Sequence, residues 1–209
     1  MSETENKVRE AVSEGAGLRE RVRDITLEAL SQRRLNTDAV REVIEQVTEG
    51  VIGGVGAQSE QLQSSLKEAL AGVDDALEKT AEAAKLAAEE ALGRANEFSD
   101  HDLKTVLQEL ATLEDLFVDT LRNAAQQTGE VASQVLTDLA EHLKVAGTQA
   151  GAEAREAVDS LRAQLKAAGR DAAVEAAQAG KQMGEKLAQI ASGFLAGMAD
   201  ALQAKSKRD

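Results

Sequence analysis

A few residues in this sequence carry side chains that commonly take part in catalysis or metal binding. The chain has two histidines, His101 and His142, and no cysteine. His101 stands close to Glu97, Asp100 and Asp102, a grouping that suggests a divalent-metal site. Because these residues fall at the start of a predicted helix, we interpret the acids as solvated capping groups instead. We therefore assign no catalytic residue, no metal ligand and no cofactor.

The glycine-rich stretch GVIGGVG, residues 50–56, is the other candidate for chemistry. A phosphate-binding loop needs a lysine followed by serine or threonine after its glycines, and none follows here. The chain has three phenylalanines, no tyrosine and no tryptophan, which leaves little to line a substrate pocket. We expect the protein not to be an enzyme.

The composition predicts an all-α protein. Proline is absent, so no ring interrupts a helix, and strong helix formers such as alanine, glutamate and leucine dominate. The longest apolar run, 51–57, is far shorter than the roughly 20 residues of a membrane span. The N-terminus has no apolar run typical of a signal peptide. These features predict a cytoplasmic protein without a transmembrane segment, with a granule or membrane surface as the alternative location.

The net charge of −13 is unevenly distributed. Acidic residues outnumber basic ones 18 to 7 in residues 57–150, whereas nine bases and eight acids occur in residues 151–209. The acidic middle would repel a phosphate backbone, so nucleic acid is not expected as a partner. The C-terminal quarter is the only part suited to an anionic surface.

Apolar residues recur every eleven positions along the C-terminal half. We call a series of positions spaced eleven residues apart a column. The three columns that begin at Val106, Leu110 and Leu113 and run towards the C-terminus are apolar except at Thr128. Eleven residues in three turns correspond to 3.67 residues per turn, close to an undistorted α-helix. The pattern predicts long, straight amphipathic helices in an elongated bundle with hendecad (11/3) packing.

Breaks in this repeat divide the chain into three parts. The first, 1–56, is predicted to hold two helices, at about 4–35 and 38–52, and to end in a glycine-rich hinge. Asn36, Thr37 and Asp38 offer an N-cap for the second helix. The second part, 57–98, is predicted to be one long helix.

The third part, 99–209, is rich in alanine and glycine. No strong stop signal interrupts its repeat, so it is predicted to form one long helix or a helical hairpin. Gly147 and Gly151 mark the best turn, and we favour the hairpin. Residues 103–121 are the most hydrophobic long stretch and are expected to contact the second predicted helix and Phe98.

Six glycines lie along one side of the apolar arc in this part. A glycine inside a helix costs roughly 0.5–1 kcal/mol relative to alanine, but it permits another helix backbone to approach closely. The alternative is random drift in a low-complexity segment. We predict helix packing at Gly129, Gly147, Gly151, Gly169, Gly180 and Gly184.

The stretch 187–202 carries the bulkiest apolar face of the C-terminal quarter. The basic residues Lys205, Lys207 and Arg208 follow it. An apolar face beside cations is suited to an interface with an anionic surface. We predict a surface anchor formed by Leu187, Ile190, Phe194, Leu195, Met198 and Leu202.

The lack of proline, the alanine content and the eleven-residue amphipathic repeat resemble three groups of proteins. These are bacterial phasins, which coat storage-polyester granules, lipid coats of the apolipoprotein and perilipin type, and stress proteins of the late-embryogenesis-abundant type. The chain also resembles an uncharacterised family of small bacterial helical proteins. The resemblance covers most of the chain as period and composition only. Such lipid coats usually carry lysines beside the apolar face, whereas residues 57–150 are acidic.

Two functions are predicted from these features. The first is a non-catalytic structural protein, a homo-oligomeric helical scaffold that self-associates through its Ala/Gly-rich apolar face. The second, implied by the resemblance, is a phasin-like or apolipoprotein-like amphipathic coat of a lipid or polyester granule surface. The row of glycines favours the scaffold, and the bulky C-terminal face favours the coat.

Overall fold

The structure is a computed structural model that describes residues 1–33, 35–56, 60–93, 100–167 and 185–206. It confirms the all-α prediction, because these residues form nine α-helices and no β-strand. The helices are α1 (Glu3–Glu14), α2 (Leu18–Ser31), α3 (Thr37–Val55), α4 (Leu62–Gly93), α5 (Asp100–Ala111), α6 (Leu113–Gln126), α7 (Glu130–Ala146), α8 (Gln149–Ala167) and α9 (Glu185–Ser206).

Helix α4 is the centre of the bundle. Its 32 residues span about 48 Å at 1.5 Å per residue, and it packs against α2, α3, α8 and α9. Helix α1 lies on α3, and α7 lies on α6. The core consists mainly of alanine, leucine and valine, with Phe117 fully buried on α6. The hydrophobic stretch 103–121 is expected to contact the second predicted helix, which corresponds to α3. This contact is present, since α6 packs on α3. Phe98 lies outside the described residues.

The N-terminal part contains one more helix than predicted. The continuous helix over 4–35 is wrong, because Gly15 and Gly17 have φ of 76° and 65° and separate α1 from α2. These left-handed backbone angles are readily adopted only by glycine. The N-cap predicted among residues 36–38 is present at Asn36, whose side chain accepts a hydrogen bond from the Ala39 N–H at 2.8 Å.

The predicted glycine-rich hinge is also wrong. Gly50, Gly53 and Gly54 lie inside α3, and the helix ends only at Gly56. A Cβ added at Gly50 would lie 2.8 Å from both the Glu5 carbonyl oxygen and the Val8 Cβ. These glycines therefore permit α1 to approach α3 closely instead of forming a loop.

The C-terminal part is neither one long helix nor a single hairpin. It is broken at Thr112, at residues 127–129 and at Gly147, which has φ 78°. At Thr112, the backbone has φ −104° and ψ 0°, which differ from the angles of an α-helix, and the hydroxyl donates to the carbonyls of Gln108 and Glu109. The resulting helices α5–α8 have 12 to 19 residues each, so hendecad packing along a long straight helix stays a prediction.

Most residues of the apolar columns between 106 and 165 are buried against other helices of the same chain. Val106, Leu110, Leu121, Leu161 and Leu165 are all buried. The exposed large apolar side chains among the described residues are Met1, Val131 and Val145. No described helix is sufficiently long and apolar to span a membrane.

Candidate functional site: helix α9 and the α7–α8 corner

The residues considered for metal binding are not assembled into a site by the described part of the chain. His142 is exposed on α7. The side chains of His101, Asp100 and Asp102 lie outside the description, as does Glu97. Across the described ranges, no three His, Cys, Asp or Glu side chains converge in a way that could hold a metal ion.

Pockets lie between the described helices, and two of them are large enough to consider for a ligand. The first, of about 370 Å³, is mostly apolar and lies among α3, α4, α5 and α6, with Val40, Ala84 and Leu110 in its wall. The second, of about 380 Å³, lies between α1 and α2 and is polar. In the second pocket, Lys7 donates to both carboxylate oxygens of Glu28 at 3.0 Å. Hydrogen bonds to Glu3 and Glu28 raise the pKa of Lys7, so this cation is engaged by protein carboxylates.

Helix α9 is attached to the bundle mainly through small side chains. Among the side chains described between residues 188 and 200, those buried are Ala188, Ala191, Leu195 and Ala199, which recur at helical spacing and face α4 and α2. The Ser192 hydroxyl donates a hydrogen bond to the Arg33 carbonyl oxygen at 2.9 Å. This contact links α9 to the end of α2.

The bulky residues of α9 lie on the flank of this docked face. Ile190, Phe194 and Met198 are half-buried and pack at the margin of the core. Leu195, predicted at the edge of the anchor, lies instead at the centre of the docked face with no exposed surface. The side chains of Leu187 and Leu202 lie outside the description.

Two of the glycines predicted to pack against another helix, Gly129 and Gly147, lie at the ends of α7. Gly129 precedes α7, and no heavy atom lies within 4 Å of a Cβ built there. Gly147 ends α7 with its positive φ. Within the chain, neither Gly129 nor Gly147 makes the predicted close helix contact, because each stands at a helix end. Gly169, Gly180 and Gly184 lie outside the described residues.

Gly151 is buried and closely approached, but by a side chain. A Cβ added there would collide with the Glu114 carboxylate of α6. Close helix–helix approach occurs at other glycines. One of them is Gly72 of α4, where an added Cβ would collide with the Arg19 backbone carbonyl of α2. The structure therefore places close helix approach on α3 and α4, and not at Gly129, Gly147 or Gly151, the three predicted glycines that it describes.

Glu114 organises the corner between α7 and α8. Its carboxylate accepts the Thr148 N–H at 2.9 Å and the Thr148 hydroxyl at 3.3 Å. It also accepts a hydrogen bond from Arg155 at 2.6 Å. Because Thr148 directly precedes α8, Glu114 holds the N-terminal end of that helix from α6.

Asp74 of α4 binds the same helix end from the other side. Its two carboxylate oxygens accept the N–H groups of Gln149 and Ala150 at 2.9 and 3.0 Å. Burial raises the pKa of Asp74, while these two backbone hydrogen bonds lower it in part. The positive end of the helix dipole of α8 also favours a carboxylate at this position. Two acids from two other helices therefore cap α8.

The sequence carried only a weak signal for this corner. In the eleven-residue repeat, Glu114 stands at a position that is apolar at Ala125 and Leu136, and an acid at an apolar position indicates a specific polar partner. Asp74 had no such signal. The N-cap of α8 has a local signal, because threonine is a common N-cap residue. The Thr148 hydroxyl accepts the Gly151 N–H at 2.8 Å in this role.

These elements define an all-helical bundle whose last helix is docked through small residues. The chain belongs to a family of unknown function, DUF6781, whose sequence profile matches residues 1–204. No curated protein matches the chain. No solved structure matches it either.

Proposed function

We propose that this protein is a non-catalytic amphipathic coat, which opens from the closed bundle to lie on a lipid or polyester surface. The observation that carries the proposal is the asymmetry of α9. Among the described side chains of this helix, three alanines and one leucine are buried in the docked face, while Ile190, Phe194 and Met198 occupy the half-buried flank. These three larger apolar side chains are thus incompletely covered in the closed bundle.

The energetics of burial support release of α9. Each buried methylene-sized group contributes about 0.8 kcal/mol, and a fully buried large side chain contributes about 1.5–3 kcal/mol. Three alanine methyls and one leucine therefore hold α9 by about 4–5 kcal/mol. Ile190, Phe194 and Met198 are already half-buried in the bundle, so full burial in an apolar phase would add about half of their burial energy, or about 2–5 kcal/mol in total. This gain would offset much of the loss of the docked face.

The internal position of the apolar arc favours a coat over a scaffold that associates through that arc. Val106, Leu121 and Leu161 are buried inside the chain, so their face is accessible to a partner only after the bundle opens. An amphipathic coat opens in this way when it exchanges its own helices for an apolar surface. The same opening would expose the arc along several helices at once.

Self-association is the second candidate function, and the edge of α7 favours it. Val131 and Val145 are 47% and 87% exposed on this helix. The other large apolar side chains of the described helices are covered at least in part, so these two valines are the candidates on α7 for contact with a second chain. Light scattering of wild type and a Val131→Glu/Val145→Glu variant tests it: an oligomer that dissociates in the variant supports this candidate, and a monomeric wild type rejects it.

Flotation with neutral-lipid droplets or polyester particles tests the coat. Phe194→Ala removes roughly 100 Å² of apolar surface, about half of which the closed bundle already buries; the remaining half is worth about 1.3 kcal/mol, so binding should weaken about ten-fold. Gln189→Ala, on the exposed face of α9, is the matched control and should bind as wild type does. Circular dichroism would show that both variants remain helical. Failure of wild type to float with either particle would contradict the proposal.

A further inference from the structure

We infer that Asp74 and Glu114 form a clasp that keeps α8 docked on the bundle, and that the clasp controls when the bundle opens. We call this pair the α8 clasp. The inference rests on the proposed function only in its second part, the effect on surface binding. The first part concerns the closed bundle alone.

The clasp spans three separate helices. Asp74 comes from α4 and Glu114 from α6, while the groups that they hold lie at the start of α8. The bonded residues are 34 to 76 positions apart in sequence. These hydrogen bonds therefore form only when α8 is seated, and they are lost when α8 leaves.

The surroundings of α8 explain why a polar restraint matters there. The buried face of α8 includes the small residues Ala150, Gly151, Ala154 and Ala157 near its N-terminal end, and Leu161 and Leu165 follow further along. Small side chains contribute little burial per residue. Hydrogen bonds to charged groups are stronger than neutral ones, so two carboxylates stabilise the end of α8 at which apolar packing is weakest.

The chain also provides a pivot beside the clasp. Gly147 separates α7 from α8 with φ 78°, an angle that glycine adopts without strain. Gly151 leaves the space that the Glu114 carboxylate occupies. Release of the two acids would free α8 to rotate about Gly147 and expose the apolar face of α4 that it covers.

Hydrogen exchange measured by mass spectrometry tests the clasp without any surface present. Loss of a capping acceptor lowers helix stability by about 1 kcal/mol, or roughly five-fold in an opening equilibrium. Asp74→Ala and Glu114→Ala should each raise exchange about five-fold in α8, and the double variant should exceed either. Glu68→Gln, at an exposed acid on the same helix α4, is the control and should leave α8 unchanged.

The result that would overturn the clasp is unchanged α8 exchange in the double variant. An equal rise in α1, α2 and α3 would also overturn it, because that pattern reports a general loss of stability. If the alanine variants do not fold, Asp74→Asn and Glu114→Gln retain one acceptor each and should give a smaller rise confined to α8.

Droplet binding of the same variants tests the control of opening. The double variant should bind neutral-lipid droplets faster than wild type, and Glu68→Gln should not. Equal rates, with α8 exchange raised, would reject control of opening while leaving the clasp. If the wild-type protein binds no droplet, the proposed function is rejected, and control of surface binding is rejected with it. The hydrogen-exchange result would still decide whether the clasp exists.

Discussion

Substitution of Gly72 by alanine tests the close packing of α2 on α4. An added methyl group at Gly72 would collide with the Arg19 backbone carbonyl and lie 3.0 Å from the Arg23 nitrogen. Because the obstacle is backbone, the two helices must separate. Overpacking costs about 1–3 kcal/mol, and the upper end applies here, whereas alanine gains about 1 kcal/mol in helix propensity. We expect a net loss of about 2 kcal/mol in the free energy of unfolding.

This loss should be measurable by thermal unfolding followed by circular dichroism. For a chain of this size 1 kcal/mol corresponds to about 2–4 °C, so Tm should fall by about 4–8 °C. Gly193→Ala on α9 is the matched control, since no heavy atom lies within 4 Å of its added Cβ. Its Tm should rise by about 1–4 °C from propensity alone. A rise in Tm for Gly72→Ala similar to that of the control would refute the close approach of these helices.

Three further predictions concern capping, titration and side-chain packing. Asn36→Ala removes the acceptor for the Ala39 N–H and should cost about 1 kcal/mol in urea unfolding; no change would show that the cap is not used. Burial raises the pKa of Asp74 above 3.8, so protonation of this carboxylate favours the folded state. The free energy of unfolding should therefore rise as pH falls through the folded-state pKa. Wild type should therefore gain stability relative to Asp74→Asn between neutral pH and about pH 4, and parallel pH profiles would contradict this. Gly53→Ala meets only the flexible guanidinium end of Arg9, so Tm should be unchanged or slightly raised, and a large fall would show that Arg9 cannot move aside.

The features that depend on neighbouring residues could be predicted from the sequence. The absence of proline predicted helices, and Asn36 predicted a cap that the structure contains. Ser2 and Glu5 form a capping box at the start of α1, which its Ser-x-x-Glu spacing also indicates. Gly15 and Gly17 also carry a local signal for a break, which the predicted helix over 4–35 did not include.

The features that depend on tertiary contacts could not be read in this way. A cluster of glycines predicts a loop by local propensity, yet Gly50 and Gly54 remain helical because α1 packs against them. Asp74 caps a helix that begins 75 residues later, and a single sequence carries no pattern for such a pair. The eleven-residue repeat identified which side chains face a core, and the folded chain supplies most of that cover itself.

The most direct test of the coat is to lock α9 onto the bundle and measure surface binding. The chain contains no cysteine, and the Ser192 hydroxyl lies 2.9 Å from the Arg33 carbonyl oxygen. A Ser192→Cys/Arg33→Cys variant can therefore be joined with a short thiol-cleavable crosslinker. The crosslinked protein should not bind neutral-lipid droplets, and cleavage of the linker should restore binding to the level of the uncrosslinked variant. Equal binding before and after cleavage would contradict release of α9 as the step that places this protein on a surface.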